Sequence, residues 1–280
     1  MTIPLSIGYS PCPNDTYIFY GLTHGKVLLP DVKLAPPLLE DVETLNRWAM
    51  EKKLDITKLS FHALGHVLDE YCVLSAGSAL GRGCGPLLVA RPGFDPALLA
   101  EARVAIPGRL TTAALLFRMY SPASHQLLAM RFDEVMTAVT EGSVDVGVII
   151  HESRFTFAEY GLVCLQDLGQ WWEETSGHPI PLGCIAARRS LGKERITSID
   201  QAIYNSILWA DKHPEECLPY ICEHAQEMDQ QVMQSHIGLY VNDYSKELGR
   251  EGLAAIEAFL RLGREAGILP ALATGVTLQA

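Results

Sequence analysis

What the chain lacks narrows its function first. Its seven cysteines are odd in number and no two stand at CxxC spacing. Residues 1–10 carry neither a basic segment nor a long apolar one. The expectation is therefore reduced thiols in a cytoplasmic protein rather than an exported disulfide framework. There is no run of about 18 apolar residues, so no transmembrane helix is expected. Basic residues are scarce: 22 Lys and Arg against 33 Asp and Glu leave a net charge of −11. Nucleic acid and anionic membrane need basic patches to displace counterions, so neither is an expected partner. A small-molecule substrate remains. The glycine-rich stretch 75–85 has neither GxGxxG after a strand nor GxxxxGK[ST], which excludes a nucleotide loop; its glycines let the backbone pass close to a neighbour or a ligand. His151-Glu152 lacks the second histidine of HExxH, and His62 and His66, one helical turn apart, have no third ligand at a recognisable spacing. No metal and no cofactor are expected.

What is present points to an α/β enzyme. Of the 280 residues, 48% are hydrophobic, enough for one large core or two ordinary ones. The stretch 142–154 stands out. Val144, Val146, Val148, Ile149 and Ile150 read as a strand buried on both faces. It stops abruptly at His151, Glu152, Ser153 and Arg154. Ligands of open α/β folds sit at the carboxyl ends of parallel strands. His151 is therefore a candidate general acid or base, and an imidazole needs little tuning for that work.

The rest of the chain supplies matching pieces. A strand at 5–9 runs through the proline-held turn 10–15 into a helix from Thr16, which Asn14 or Asp15 would cap; the same turn could equally hold a rigid site loop. Asp41 caps an amphipathic helix at 41–53. A strand at 54–60 delivers Ser60 to the start of the helix 61–70, with Lys58 two residues before it. A strand at 103–107 precedes Thr111-Thr112 at the start of the helix 113–120. There, hydroxyls, backbone N–H groups and the positive helix end suit a carboxylate or phosphate, beside the plainer role of an N-cap. A helix at 132–139, a strand at 161–165, and a turn or short helix at 167–175 follow, the last with Trp171-Trp172 as packing. The chain then becomes helical, at 198–210, 227–240 and 251–266, with Pro270 as a stop.

A weak internal repeat organises these pieces. Aligning Asp55 with Asp145 sets Ser60 opposite Ile150 and Phe61 opposite His151. Aligning Ile7 with Val104 sets Asn14 and Asp15 opposite Thr111 and Thr112. Two similar lobes follow, with residues 91–187 inserted into a larger lobe made of 1–90 and 188–280. The extended segments 86–91 and 179–188, both ending in Ala-Arg, are the expected crossings, and the cleft between the lobes is the natural ligand site.

Seven motifs occur together and in order: Ser10-Pro-Cys-Pro-Asn-Asp-Thr16, Asp41-Val-Glu-Thr-Leu-Asn46, Thr57-Lys-Leu-Ser60, Ala79-Leu-Gly-Arg-Gly-Cys-Gly-Pro86, Gly108-Arg-Leu-Thr-Thr112, Ile149-Ile-His-Glu-Ser-Arg-Phe155 and Pro179-Ile-Pro-Leu-Gly183. With them the chain resembles the 1,4-dihydroxy-6-naphthoate synthases of the futalosine route to menaquinone. The resemblance runs to about residue 190; the helical tail fits without a distinctive motif. It implies a two-lobed α/β fold similar to type II periplasmic binding proteins, with the ligand cleft between the lobes and a helical C-terminus. It implies conversion of cyclic dehypoxanthinyl futalosine to 1,4-dihydroxy-6-naphthoate with release of dihydroxyacetone, without a cofactor. By the same resemblance His151 is the proton acceptor, and Lys58, Leu59, Ser60, Thr111 and Thr112 contact the substrate. Two alternatives share the fold: a chorismate dehydratase of the same pathway, and a solute-binding protein.

Overall fold

Strand β1 (Ile7–Tyr9) and most of the strands after it are short and buried, so the chain must cover them with helices on both faces. In the computed structural model, which describes residues 4–30, 32–225, 229–271 and 274–278, it does so twice. The first pass holds α1 (Pro13–Thr23), β2 (Leu38–Leu39), α2 (Val42–Met50), β3 (Ile56–Ser60), α3 (Phe61–Val67), β4 (Tyr71–Val73) and β5 (Ala79–Gly81). The second holds β6 (Leu87–Ala90), β7 (Val104–Ile106), α4 (Thr112–Tyr120), β8 (Leu127–Ala129), α5 (Val135–Thr140), β9 (Val146–Ile149), α6 (Ser153–Thr156), β10 (Val163–Asp167) and α7 (Leu168–Ser176). Strand β11 (Ile180–Arg188) then leads into α8 (Lys193–Lys212), α9 (Pro214–His224), α10 (Gln230–Tyr240), α11 (Asp243–Lys246) and α12 (Gly249–Glu265).

The strands form two sheets, ordered β2-β1-β3-β11-β4, with β5 also on β11, and β8-β7-β9-β6-β10. The pairing sense repeats: β1 is parallel to β2 and β3 and β3 antiparallel to β11, while β7 is parallel to β8 and β9 and β9 antiparallel to β6. The repeat expected from Asp55 and Asp145 is therefore structural. Asp55 accepts from Ser6 N and Oγ, both at 2.8 Å, just before β1. Asp145 accepts from Arg103 N at 2.9 Å, just before β7. Each aspartate locks the register of its own parallel pair, Ile7 beside Ile56 in one sheet and Val104 beside Val146 in the other.

The expected crossings are corrected by the pairing. Residues 87–90 are β6, inside the second sheet, and residues 180–188 are β11, inside the first. Sheet membership changes at 82–86 and again between α7 and β11. Each segment is the antiparallel neighbour of its sheet's inner parallel strand, which is why the two look alike in sequence. Several helix starts also differ from expectation, among them α8, which begins at Lys193 rather than 198, and α12, which begins at Gly249 rather than 251. Helix α1 begins at Pro13 with Cys12 in the cap position, so Asn14 and Asp15 lie in its first turn instead of capping it. Proline suits that position because its missing N–H has no partner to lose. The segment 132–139 divides into a single 3-10 turn at Phe132–Glu134 and α5. Helix α10 is capped by Asp229, and residues 227 and 228 of the expected helix lie outside the described residues. Among the described residues no helix is long and apolar enough to cross a membrane.

The largest apolar core is shared. Leu59, Phe61 and Leu64 from the first sheet and α3 meet Leu88, Val104, Leu115 and Val148 from the second sheet and α4, and Ile256, Phe259 and Leu260 of α12 close over them. The first crossing runs against the start of α7 so tightly that only glycine fits. A Cβ on Gly85 would stand 2.3 Å from the Gly169 Cα. Gly85→Ala is expected to cost about 1–3 kcal/mol through backbone displacement, read as a lower urea midpoint with unchanged slope; an unmoved midpoint would show that the α7 start yields.

Candidate active site

The site is built around a buried ion pair. Lys58 Nζ bonds to Asp15 Oδ1, with the side chains 7% and 0% exposed. Strand alternation turns Lys58 and Ser60 of β3 to one side and Leu59 to the other. Asp15 is held from three further directions: Ser10 Oγ donates to Oδ2 at 2.7 Å, Ser10 N at 3.2 Å, and Asn14 Nδ2 to Oδ1 at 2.9 Å. This leaves the Asn14 oxygen facing His236 Nε2 on α10, 3.0 Å away.

His151 follows β9 with φ of 56°. Left-handed backbone is uncommon for a residue with a side chain and persists where the surroundings enforce it. Here Cys12 Sγ lies 3.8 Å from His151 Nδ1, Phe132 meets the ring edge-on at 5.0 Å, and the His236 ring lies nearly parallel at 6.0 Å. Burial lowers the His151 pKa, with the Glu152 carboxylate opposing that shift. Burial also lowers His236, well below the ordinary range, with His151 and Lys58 adding to it. The Cys12 thiol is pushed up by burial, so it stands beside His151 as a protonated group rather than a thiolate.

The facing wall joins the lobes. Asn46 of α2 donates to Ser60 Oγ at 3.0 Å and to the Leu110 carbonyl at 3.2 Å, while its own oxygen accepts from Ser60 N at 2.9 Å. The carboxylate of Glu43, also on α2, receives Arg109 N at 2.7 Å and Leu110 N at 3.0 Å. Thr111 caps α4, accepting from Ala114 N at 3.2 Å. Thr112 Oγ1 donates to the Leu182 carbonyl and accepts from Phe61 N at 3.1 Å. Both threonine hydroxyls therefore have protein partners. What the start of α4 offers a ligand is main-chain N–H groups that no helical carbonyl precedes.

One cavity collects these groups: Lys58, Ser60, Thr111, Thr112 and His151 line it, together with His236. Leu59 does not; its side chain is fully buried in the shared core, beside β11. Asn14, Asp15 and Tyr240 also line the cavity. His236 and Tyr240 escaped the sequence. Their only signal is a histidine and a tyrosine one turn apart on a helix, which in isolation describes ordinary packing.

Comparison with known proteins decides the family. A family model described as "Menaquinone biosynthesis" matches residues 5–265. The chain belongs to that family. It is an enzyme of menaquinone biosynthesis. It is 50% identical over 252 residues to a 1,4-dihydroxy-6-naphthoate synthase of Thermus thermophilus, covering 90% of this chain and 91% of that one. It is 45% identical over 273 residues to one of Streptomyces coelicolor, covering 96% and 95%. A solved structure from Archaeoglobus fulgidus has a TM-score of 0.89 at 34% identity, over 95% of this chain and 98% of that one. A Candida albicans protein described as having the generic periplasmic binding protein fold has a TM-score of 0.68 at 14% identity, over 97% and 92%, a likeness of fold alone.

Within this menaquinone enzyme, other polar clusters are structural. His62 Nδ1 is bonded to the Thr111 carbonyl at 3.0 Å and burial lowers its pKa to about 4, so it is a neutral strut between the lobes. Arg154 bonds to the Gly85 carbonyl and Asp167 Oδ2, both at 2.6 Å, fixing the loop that forms a cavity wall. Among the described residues, the groups of three or more donors close enough to share a metal are Cys12, His151 and Glu152, within 4.8 Å of one another, and His213, Glu215 and Glu216. Neither includes the His62–His66 pair.

Breaking the central ion pair from one side should be costly. Lys58→Met leaves Asp15 buried and unpaired, at about 3–5 kcal/mol. Lys58→Met/Asp15→Asn should recover part of that loss in urea melts; a double variant no more stable than the single one would show that the pair is not what holds the wall.

Proposed function

We propose that the chain converts cyclic dehypoxanthinyl futalosine to 1,4-dihydroxy-6-naphthoate and dihydroxyacetone, with His151 as the proton acceptor. The observation that carries this reading is His151 itself, turned into the cavity by a left-handed backbone at the end of β9. A binding protein has no use for a base in that position. The two relatives named 1,4-dihydroxy-6-naphthoate synthase support the product.

The parts take the following roles. A polar or anionic group of the substrate rests on the N-terminal turn of α4, held by main-chain N–H groups of Thr111 and Thr112 and by the positive helix end. Ser60 holds another group on the facing wall: its oxygen accepts from Asn46, which leaves the hydroxyl hydrogen to donate. Lys58, committed to Asp15, contributes charge; a contact from Leu59 would come from its main chain, since the side chain points away. Closure of the lobes excludes water. His151 then takes the acidic proton of the substrate, carbon–carbon cleavage follows, and aromatisation of the product drives the step forward. Proton transfer of this kind calls for no cofactor.

The base must be neutral to accept a proton. Its pKa is lowered by burial, so activity should be full at neutral pH and fall as pH drops through a value below about 6.5. His151→Asn should reduce turnover by about 10²–10⁴-fold with the fold intact; wild-type turnover in a folded variant would remove His151 from the role. Mass spectrometry after incubation with cyclic dehypoxanthinyl futalosine and, separately, chorismate separates the alternatives. Only the first should yield product. Loss of water from chorismate would favour the dehydratase, and tight binding without product a solute-binding protein.

A further inference from the structure

Two buried polar atoms face each other beside His151. Nδ1 of His236 and Oε2 of Glu152 lie 3.7 Å apart, and neither has a hydrogen-bond partner. A buried polar atom left unpaired is costly, and two set against each other are more so. The tautomer of His236 shows what is missing. Lys58 and Asn14 both donate to Asp15 Oδ1, so the Asn14 amide presents its oxygen to His236, and Nε2 of the ring must be the donor there. A neutral ring with its hydrogen on Nε2 has only a lone pair on Nδ1, aimed at the lone pairs of a carboxylate. One proton in the gap converts that repulsion into an attraction, which draws the 3.7 Å separation in to a charge-assisted hydrogen bond.

We infer that Glu152 and His236 share one proton, forming a couple of zero net charge that sets the electrostatic field at His151. The surroundings leave this couple as the adjustable element. His151 is faced by Cys12 from the β1–α1 turn, by Glu152 from its own loop and by His236 from α10, with Asp15, Lys58 and Asp41 within electrostatic reach. Lys58 and Asp15 are paired with each other, Asp41 is bonded to the start of α2, and the Cys12 thiol is kept protonated by burial. Around His236 stand Asn14, Glu152, His151, Lys58 and Tyr240. Burial opposes an isolated charge on the His236 ring, but a proton shared with a carboxylate creates no isolated charge.

The couple acts through His151, and its kinetic consequence rests on His151 being the base. Removing His236 strands the Glu152 carboxylate beside His151 and favours the imidazolium. His236→Gln should therefore move the acid limb of kcat/KM up by about one pH unit, a roughly tenfold loss of rate on that limb. Glu152→Gln removes the carboxylate together with the proton it shares, so net charge is unchanged and the limb should move little. A purely structural role would lower kcat and move neither limb; an unmoved limb in His236→Gln, or a large downward shift in Glu152→Gln of the kind an unshared carboxylate would give, overturns the inference. A second measurement does not depend on turnover or on the variants being active. Protein with ring-¹⁵N histidine should show a strongly deshielded proton on His236 Nδ1 near neutral pH, lost in Glu152→Gln. A bare His236 Nδ1 in the wild type overturns the inference. If that proton is present while His151→Asn keeps wild-type turnover, the couple stands and the assignment of the base falls.

Discussion

The cavity depends on the buried pair Lys58–Asp15. Placing two charges where neither meets water carries a desolvation penalty of several kcal/mol per ion, offset only when geometry and further hydrogen bonds are good. Ser10 and Asn14 supply those bonds. The return is orientation. The pair ties β3 to the first turn of α1, fixes the Asn14 amide, and through it dictates which nitrogen of His236 carries hydrogen. A hydrophobic pair of the same volume could hold β3 against α1 equally well. It could not pass a preference for one tautomer on to α10.

A second constraint is the duplicated register lock. In each sheet an aspartate before the inner parallel strand accepts hydrogen bonds from the residue before its neighbour, Asp55 from Ser6 and Asp145 from Arg103. Because strand side chains alternate with period two, a slip of one residue would turn Lys58 and Ser60 into the core and Leu59 into the cavity. The locks prevent that slip in both sheets. They also make the two strand ends comparable: Phe61 at the end of β3 enters α3 directly and packs into the shared core, whereas His151 at the end of β9 turns left-handed before α6 begins.

The longer strands, most helices and the two-part plan were legible because they depend on local signals such as β-branched runs and the Asp41 cap; β2, β4, β5 and β8, two or three residues each, carry too short a pattern to read. The repeat was legible for the same reason, its two aspartates sitting at equal distances from similar strands. The crossings were misplaced because an antiparallel strand inside a sheet and an extended link between sheets share one local signature, and only pairing partners distinguish them. The α1 start was misjudged because Asn14 and Asp15 are strong capping types, and nothing local reveals that Lys58, 43 positions away from Asp15, will claim one of them. His236 was illegible for a deeper reason. Its role comes from contacts 222 residues away at Asn14 and at Glu152, and a buried histidine on an amphipathic helix carries no mark of such partners.

The comparison of strand ends bears on how a binding fold becomes an enzyme. Both lobes present a helix start and a strand end to the cleft, which suffices to hold an anionic ligand. Chemistry requires one of the four termini to offer a group that changes protonation, and the symmetry must be broken to place it. In the first lobe the position equivalent to His151 is Phe61, whose main-chain N–H is bonded to Thr112 Oγ1 of the other lobe; it ties the two together. In the second lobe the left-handed turn lifts the side chain out of the core and into the cavity. The helical tail then contributes what neither repeat contains, a second imidazole from α10 lying parallel to the first. Duplication accounts for the cleft, and departures from it account for His151 in the cavity and for the second imidazole beside it.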